Sequence, residues 1–325
     1  GHLRKYALGN PTIDSAELAL PAPRVACWYG CPPSISYKQI VDGRPRYLTE
    51  VMSEKPIEFL ETTDDRPFCL TVSFKEPHGP FNYFDPKVGN PYADVDLPGS
   101  PTFTLEDFDH QPEFIRQSLN GSGNRRMLQQ RELYQSTLRT FYRTVTRADQ
   151  AVGEILEALE RLGLSGNTVV IYSSDHGSLL GDHGLTGKWL MYENSIRVPL
   201  IIHDPRSLQI RNQRKNVEDD VIRKRNEMVL SIDLAPTMLS LAGLTPPESM
   251  EGRDLMPLVH NQTPSWRSHF YYEHTYTPED KKRAPIPRTE GVRTTRWKYI
   301  RFPEEIPVYE QLFDLTSDPL EPVSY

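Results

Sequence analysis

The chain has 325 residues, of which 37% are hydrophobic, and this is enough for one large α/β domain with a smaller appendage. Its formal net charge of -7 argues against a nucleic-acid partner, so any anionic substrate must be attracted by local positive groups. No apolar run approaches the length that crosses a bilayer, so we expect no membrane span, and the first residues do not form a signal peptide.

The first part of the chain predicts irregular structure, then a helix and a strand. Residues 1–46 are rich in proline and glycine and show no sustained periodicity. Residues 47–61 place apolar side chains on a helical stripe, with Pro56 as an expected kink or early end. Residues 67–74 form a strand-like apolar run.

The middle of the chain predicts a long excursion, a long helix and a buried strand. Residues 82–124 are dominated by proline, glycine, aspartate and aromatic residues, which is typical of a long irregular segment that lines a substrate pocket. Residues 129–162 repeat apolar side chains at intervals of three and four, and Gly163 is the expected stop. The strand over residues 168–172 follows, and this strand, helix, strand order predicts a mostly parallel sheet.

The C-terminal part has a different pattern. Residues 269–273, 291–302 and 311–315 alternate as short antiparallel strands do. We therefore predict a main α/β domain over residues 1–262 and a small subdomain over residues 263–325. The basic run Lys281-Lys282-Arg283 within this subdomain is interpreted as a solvated loop rather than an anion contact.

A chemically distinctive sequence follows the strand over residues 168–172. Asp175 and His176 stand side by side where ligands collect in open α/β sheets, at the carboxyl end of a strand, and are candidate metal ligands. Gly177 allows a sharp turn behind them. Lys188 follows on a glycine-rich loop that can fold back towards the same point, so the combination suits an anion held against a metal. Taken singly, an Asp-His pair is more often a capped turn and a loop lysine is usually solvated.

The order of the motifs resembles the sulfatase family, within the alkaline-phosphatase-like superfamily. Residues 168–199 look like the family's metal and anion loop. Residues 75–81 resemble its strand ending in a Pro-His pair, residues 231–244 resemble its helix with an Asp-x-x-Pro-Thr pattern, and residues 311–319 are similar to its closing strand and turn. The resemblance implies an α/β fold with a mostly parallel sheet flanked by helices, and a small C-terminal antiparallel-sheet subdomain.

The resemblance also implies roles for individual residues. Asp175 and His176 match the family's metal ligands, with calcium as the usual ion; imidazole widens the choice, and Mn²⁺ is the alternative. Lys188 matches the lysine that grips a sulfate oxygen. His78 matches the histidine that contacts the sulfate and helps to protonate the leaving oxygen, although a capped turn would explain His78 without the other motifs. His183 is expected to orient the loop from behind the ligands rather than to bind the metal.

Two family features have no match. The family's nucleophile is a formylglycine made within a Cys/Ser-x-Pro-x-Arg motif, and the nearest string here, Cys31-Pro32-Pro33-Ser34-Ile35, has isoleucine where arginine should stand. We interpret that string as a coincidence. The family's early pair of acidic metal ligands and its Gly-Lys-x-x-His segment are also absent. We therefore expect a fragment that lacks the nucleophile and half of the metal shell and does not turn over.

Three functions fit this pattern. The first is a sulfuric ester hydrolase that cleaves sulfate from a small-molecule or carbohydrate ester. The second is a phosphonate monoester hydrolase or phosphodiesterase of the same superfamily, and the third is a non-catalytic sulfatase-like binding protein. The resemblance implies a periplasmic or secreted, extracellular location. We expect no signal peptide in the chain itself, so this location rests on the family alone.

Overall fold

The computed structural model describes residues 24–29, 38–41, 43–79, 88–206, 224–262, 265–275 and 284–321. Cys31 and the basic run at 281–283 lie outside these ranges. Two compact units make up the chain: Gly1–Leu97 with Glu132–Thr168 form the first, and Pro98–Arg131 with Val169–Tyr325 form the second. The division at residue 262 stays a prediction.

The described residues form the predicted long helix, and they also form short helices from Leu105 onwards, inside the segment 82–124 for which the sequence predicts irregular structure. The helices are α1 Leu48–Glu61, α2 Leu105–His110, α3 Glu113–Gln117, α4 Asn124–Gln129, α5 Arg131–Arg161, α6 Glu193–Ile196, α7 Leu234–Leu241 and α8 Met256–Val259. The strands are β1 Arg24–Tyr29, β2 Lys38–Val41, β3 Arg44–Tyr47, β4 Phe68–Ser73, β5 Val170–Ser173, β6 Leu179–Leu180, β7 Thr186–Gly187, β8 Leu200–His203, β9 His269–His274, β10 Thr289–Thr294, β11 Trp297–Phe302 and β12 Tyr309–Asp314. No helix in the described ranges is long and apolar enough to cross a membrane.

The first unit contains a parallel strand pair and two helices. β1 runs parallel to β4, from Arg24 opposite Phe68 to Tyr29 opposite Ser73. α1 continues past Pro56 to Glu61, so the expected early end is wrong. α5 ends at Arg161, and Gly163 takes the left-handed conformation that suits a helix C-terminus, with φ of 71°.

The buried face of α5 differs from its apolar stripe. Leu133, Val145 and Leu156 are exposed although all three belong to the three-and-four pattern. Gln135 and Arg147 are buried instead. The buried Gln135 amide has hydrogen-bond partners on the backbone of Leu97. It accepts from the Leu97 N–H and donates to the Leu97 carbonyl, both at 2.9 Å, so its burial leaves these polar groups satisfied. Leu138 and Leu159 of the stripe are buried as expected, so hydrophobicity predicts only part of the buried face.

The second unit carries β5, the strand that ends at Ser173, two residues before Asp175. β5 pairs antiparallel with β8, from Val170 opposite His203 to Ser173 opposite Leu200. The parallel pair among the described strands is β1 with β4. β5 is half-buried rather than buried, and the Tyr172 side chain is exposed.

The C-terminal sheet packs against the loop that follows β5. Its strand order is β12-β11-β10-β9, all antiparallel, and the run over residues 291–302 is two strands joined by a turn rather than one. The core beneath it combines sheet residues with buried loop residues, namely Ile300, Phe302, Phe313, Leu179, Leu185, Leu190, Met191 and Tyr192. The loop between β6 and α6 is thus part of the hydrophobic core.

The Asp-x-x-Pro-Thr segment has a structural role. Asp233 is fully buried and forms a two-pronged ion pair with Arg267, at 2.5 and 2.6 Å. Its carboxylate also accepts the backbone N–H groups of Leu230 and Arg253. Thr237 donates to the Asp233 carbonyl and accepts from the Leu255 N–H, so the motif joins α7 to the chain before α8.

We predict that Arg267→Met destabilises the protein by about 3–5 kcal/mol, because it leaves a buried carboxylate without its counter-ion. Urea unfolding would measure this loss. Arg66→Met is the control, since Arg66 and Asp64 form an exposed pair and its loss should change stability by less than about 1 kcal/mol. Similar losses in both variants would contradict the role assigned to Arg267.

Candidate active site

Asp175 and His176 follow β5 directly. The Asp175 carboxylate is 85% exposed and accepts the backbone N–H of His176 at 3.0 Å. The Ser174 hydroxyl donates to the His176 carbonyl at 2.9 Å. These local bonds hold the turn, and they leave the second carboxylate oxygen of Asp175 facing the His176 ring, with 3.5 Å between Oδ2 and Nε2.

The His176 ring has a defined orientation. Its Nδ1 lies 2.8 Å from the Gly177 carbonyl oxygen, and a carbonyl only accepts, so Nδ1 carries the proton. Nε2 therefore presents its lone pair. This is the arrangement found in metal-binding histidines, whose second nitrogen donates to a backbone carbonyl and so aims the first.

Lys188 reaches the same point from the loop after β7. Its Nζ lies 2.6 Å from His176 Nε2 and 5.8 Å from the centre of the Trp189 ring. An ammonium group can donate to the imidazole lone pair, and the same Nε2 lies 3.5 Å from Asp175 Oδ2. The structure thus brings together three of the sequence-predicted residues: a carboxylate, an imidazole and an ammonium.

Gly177 is needed for a reason that the sequence analysis did not anticipate. Its φ is not in the left-handed region, so a sharp turn does not require glycine here. A Cβ atom at this position would instead overlap the carbonyl oxygen of Asn194, and the Gly177 N–H donates to the Ser195 carbonyl at 2.8 Å. The backbone behind the Asp-His pair therefore lies directly against α6.

His78 belongs to the first unit and follows the cis peptide bond between Glu76 and Pro77. Its backbone N–H donates to the Lys75 carbonyl at 2.8 Å, and its Nδ1 lies 2.7 Å from the Gly79 carbonyl oxygen. The ring is exposed and has the same local arrangement as His176, with Nε2 presenting its lone pair. Its predicted contact with a sulfate stays a prediction.

Glu76, two residues earlier, is a buried acid that sequence reasoning missed. Burial raises its pKa, while the Thr49 hydroxyl that donates to Oε1 acts in the opposite direction. Its Oε2 has no hydrogen-bond partner among the described residues. The side chain thus supports the Pro-His turn from inside the first unit.

His183 packs within the loop and contacts neither candidate ligand in the contacts described. It is 3% exposed, has φ of 59°, and stacks on Tyr192 with 4.2 Å between ring centres. Its backbone N–H donates to the Thr102 hydroxyl oxygen at 2.9 Å. Burial lowers the pKa of the imidazole to about 4. The role expected for His183, orienting the loop, stays a prediction.

The two donors fit part of a metal shell. Neighbouring ligands at right angles, each about 2.4 Å from an ion, would stand about 3.4 Å apart, close to the 3.5 Å between Asp175 Oδ2 and His176 Nε2. Within the described ranges, no group of three or more histidine, cysteine, aspartate or glutamate side chains could hold a metal ion. Asp175 and His176 therefore suit one side of a shell whose other ligands would come from elsewhere.

We predict that Gly177→Ala destabilises the protein by about 1–3 kcal/mol, because the added methyl group overlaps the Asn194 carbonyl. Thermal unfolding would measure the loss, and the His176 imidazole nitrogen signals would report the displaced turn. Gly166→Ala is the matched control, since a Cβ atom there meets nothing within 4 Å. Unchanged stability and unchanged His176 signals in Gly177→Ala would refute the close-approach explanation.

We also predict a pH-dependent contribution from His183. The fold requires the neutral ring, whereas the unfolded chain takes up a proton below about pH 6.5, so this stability is present above pH 6.5 and is lost as the pH falls towards 4. The full difference corresponds to about 3 kcal/mol. Urea unfolding between pH 4 and pH 7 should show a flatter dependence in His183→Asn, because asparagine tolerates positive φ. His110→Asn, at an exposed site, should keep the pH dependence of the unaltered protein. If His183→Asn also kept that pH dependence, the prediction would be wrong.

Comparisons with known proteins identify the family of this chain. The family model described as Sulfatase matches residues 19–244, and the model for the N-sulphoglucosamine sulphohydrolase C-terminal region matches residues 181–324. An arylsulfatase of Clostridium perfringens is 31% identical over 84% of this chain and 52% of its own. An N-acetylglucosamine-6-O-sulfatase of Bacteroides thetaiotaomicron is 27% identical over 85% of this chain and 57% of its own. The chain spans about half the length of these relatives.

Solved structures have the same fold. The structure of BT4656 in complex with its substrate D-glucosamine-2-N,6-O-disulfate matches with a TM-score of 0.69 and 23% identity, over 93% of this chain and 75% of the other. A phosphonate monoester hydrolase of Agrobacterium radiobacter matches with a TM-score of 0.67 and 23% identity, over 91% of this chain and 60% of the other. The predicted alkaline-phosphatase-like α/β fold with a C-terminal antiparallel sheet is confirmed. The chain belongs to the sulfatase family of the alkaline-phosphatase-like superfamily.

Proposed function

We propose that this chain carries the metal and anion half of an enzyme that hydrolyses sulfate monoesters. One observation supports this most strongly: His176 Nε2 lies 2.6 Å from the Lys188 ammonium and 3.5 Å from the Asp175 carboxylate. A positive side chain beside two metal donors is what a doubly charged or singly charged oxyanion requires. The net charge of -7 makes such local attraction necessary.

Each residue has a role set by its chemistry. The Lys188 ammonium donates to a sulfate oxygen, exchanging its bond to His176 Nε2 for one to the anion. Asp175 and His176 would hold the ion, which is Ca²⁺ with Mn²⁺ as the alternative, through Oδ2 and Nε2. When bound, that ion would polarise a sulfate oxygen as a Lewis acid. His78 would first take up a proton on Nε2 and then, as an imidazolium, transfer it to the leaving oxygen, while its Nδ1 stays committed to the Gly79 carbonyl.

The nucleophile is the part that this sequence does not supply. The family's formylglycine motif, Cys/Ser-x-Pro-x-Arg, does not occur in the 325 residues, and Cys31 lacks the arginine of that motif. We therefore propose that the chain as given binds metal and sulfate but does not turn over sulfate esters. Hydrolysis of an aryl sulfate by this chain alone would contradict the proposal.

The substrate class that we propose is a sulfated carbohydrate. Two of the similar proteins support it, since one is named an N-acetylglucosamine-6-O-sulfatase and another binds D-glucosamine-2-N,6-O-disulfate. The likeness to a phosphonate monoester hydrolase favours that activity as the second candidate. Comparing the dissociation constants of inorganic sulfate and methylphosphonate separates the two, since tighter phosphonate binding would favour the second.

We predict that Asp175→Ala weakens calcium binding by about tenfold or more, because it removes the carboxylate ligand. Lys188→Ala should not weaken calcium binding, because it removes a positive charge that competes for His176 Nε2, but it should weaken inorganic sulfate binding by roughly 10- to 100-fold, the value of a hydrogen bond to a charged group. Calorimetric titration measures both. Asp149→Ala, on the exposed face of α5, controls for the change of net charge. Equal calcium affinity in the unaltered protein and Asp175→Ala would reject the role given to Asp175.

A further inference from the structure

The backbone at Lys188 is held in an uncommon conformation. Gly187 on one side has φ of 86°, and Trp189 on the other has φ of 81°. A bulky residue with positive φ is rare, because its Cβ atom crowds the backbone, and such strain persists only where the surroundings impose it. The chain around Lys188 therefore needs partners that hold it.

Asn120 supplies the partner on the Lys188 side. Its side chain is fully buried, and Nδ2 donates to the carbonyls of Thr186 at 2.8 Å and Lys188 at 2.6 Å. The Asn120 carbonyl accepts the Thr186 N–H at 2.9 Å. On the far side, the Tyr272 hydroxyl donates to the Trp189 carbonyl at 2.7 Å. The peptide planes before and after the strained Trp189 are thus each tied to a side chain.

Asn124 makes a comparable set of bonds that does not include Lys188. Its Nδ2 donates to the carbonyls of Asn120 at 2.6 Å and Gly184 at 3.1 Å, and its Oδ1 accepts the Thr186 hydroxyl at 3.1 Å. It is 5% exposed, so both asparagines are buried in the same contact. They differ in that only Asn120 reaches the Lys188 carbonyl.

The position of that carbonyl controls the position of the ammonium group. An extended lysine side chain places Nζ about 6 Å from Cα, so a tilt of the backbone by about 10° moves Nζ by about 1 Å. A displacement of this size is enough to weaken a positioned charge strongly. A donor that fixes the peptide plane at Lys188 therefore also fixes where its charge lies.

We propose that Asn120 is a positioning residue, which sets the Lys188 ammonium for the anion by holding the Lys188 carbonyl. The inference rests on the proposed function, because it assigns the anion contact to Lys188. Asn120 does not touch the anion in this proposal; it acts through the backbone. Its effect should consequently disappear when the Lys188 ammonium is removed.

The test compares Asn120→Ala with Asn124→Ala in the protein with calcium, using inorganic sulfate as the probe. We expect Asn120→Ala to weaken sulfate binding by about tenfold, as loss of a supporting hydrogen bond does at metal and anion sites. Asn124→Ala should lower the unfolding temperature as well but leave sulfate binding unchanged. In the Lys188→Ala background, Asn120→Ala should cause no further loss. Asn120→Ser, a smaller perturbation, takes the place of the alanine variant if that variant does not fold.

Two results would overturn the inference. One is an equal loss of sulfate affinity in the Asn120 and Asn124 variants, which would indicate a general effect on the fold. The other is a loss from Asn120→Ala that persists in the Lys188→Ala background, which would mean that Asn120 acts on the anion by another route.

A second measurement separates this inference from the proposed function. If Lys188→Ala binds sulfate as tightly as the unaltered protein, the proposed anion contact is wrong. The side-chain nitrogen spectrum of His176 then decides on positioning, because it reports the Lys188 ammonium beside Nε2 without any anion. A changed Nε2 signal in Asn120→Ala but not in Asn124→Ala supports the positioning role, and an unchanged signal in both variants rejects it.

Discussion

The placement of the site depends on a buried ion-pair cluster around Lys298. Its fully buried ammonium donates to the Met191 carbonyl at 3.0 Å and pairs with Glu193 at 2.9 Å and Glu321 at 2.5 Å. Although burial acts to raise the pKa of Glu193, the charges of Lys298 and Arg293 outweigh it and lower that pKa. Two positive and two negative groups balance one another, so no net charge is buried. The cluster joins the end of the Lys188 loop to the C-terminal sheet.

This anchorage explains how a glycine-rich loop can serve as a rigid scaffold. Leu185 and Leu190 flank Lys188 and lie fully in the core, as do Met191 and Tyr192 just before α6. A segment with so many buried side chains cannot shift without opening the core. The positive φ of Trp189 is sustained by the same packing and by hydrogen bonds to adjacent carbonyls. If an anion binds as proposed, the lysine would present its charge without a large loss of entropy.

The two candidate histidines are each oriented by a hydrogen bond to the backbone. His176 commits Nδ1 to the next carbonyl, and His78 does the same in the first unit. Each ring therefore offers Nε2 to a ligand or a proton.

The sequence by itself determined the elements with strong local periodicity, such as α5 and β4, because short-range spacing is written directly in the order of residues. It also indicated Asp175, His176 and Lys188 as candidates, and the structure brings these side chains together, while their roles stay predictions. Only the tertiary structure decided which polar residues are buried. Asn120 lies 68 residues from the carbonyl that it holds, and Lys298 lies 107 residues from its carbonyl partner. Such partners depend on how distant segments pack, and no local pattern marks them. The same reason explains why Gly177 is required by its approach to Asn194 rather than by its own φ.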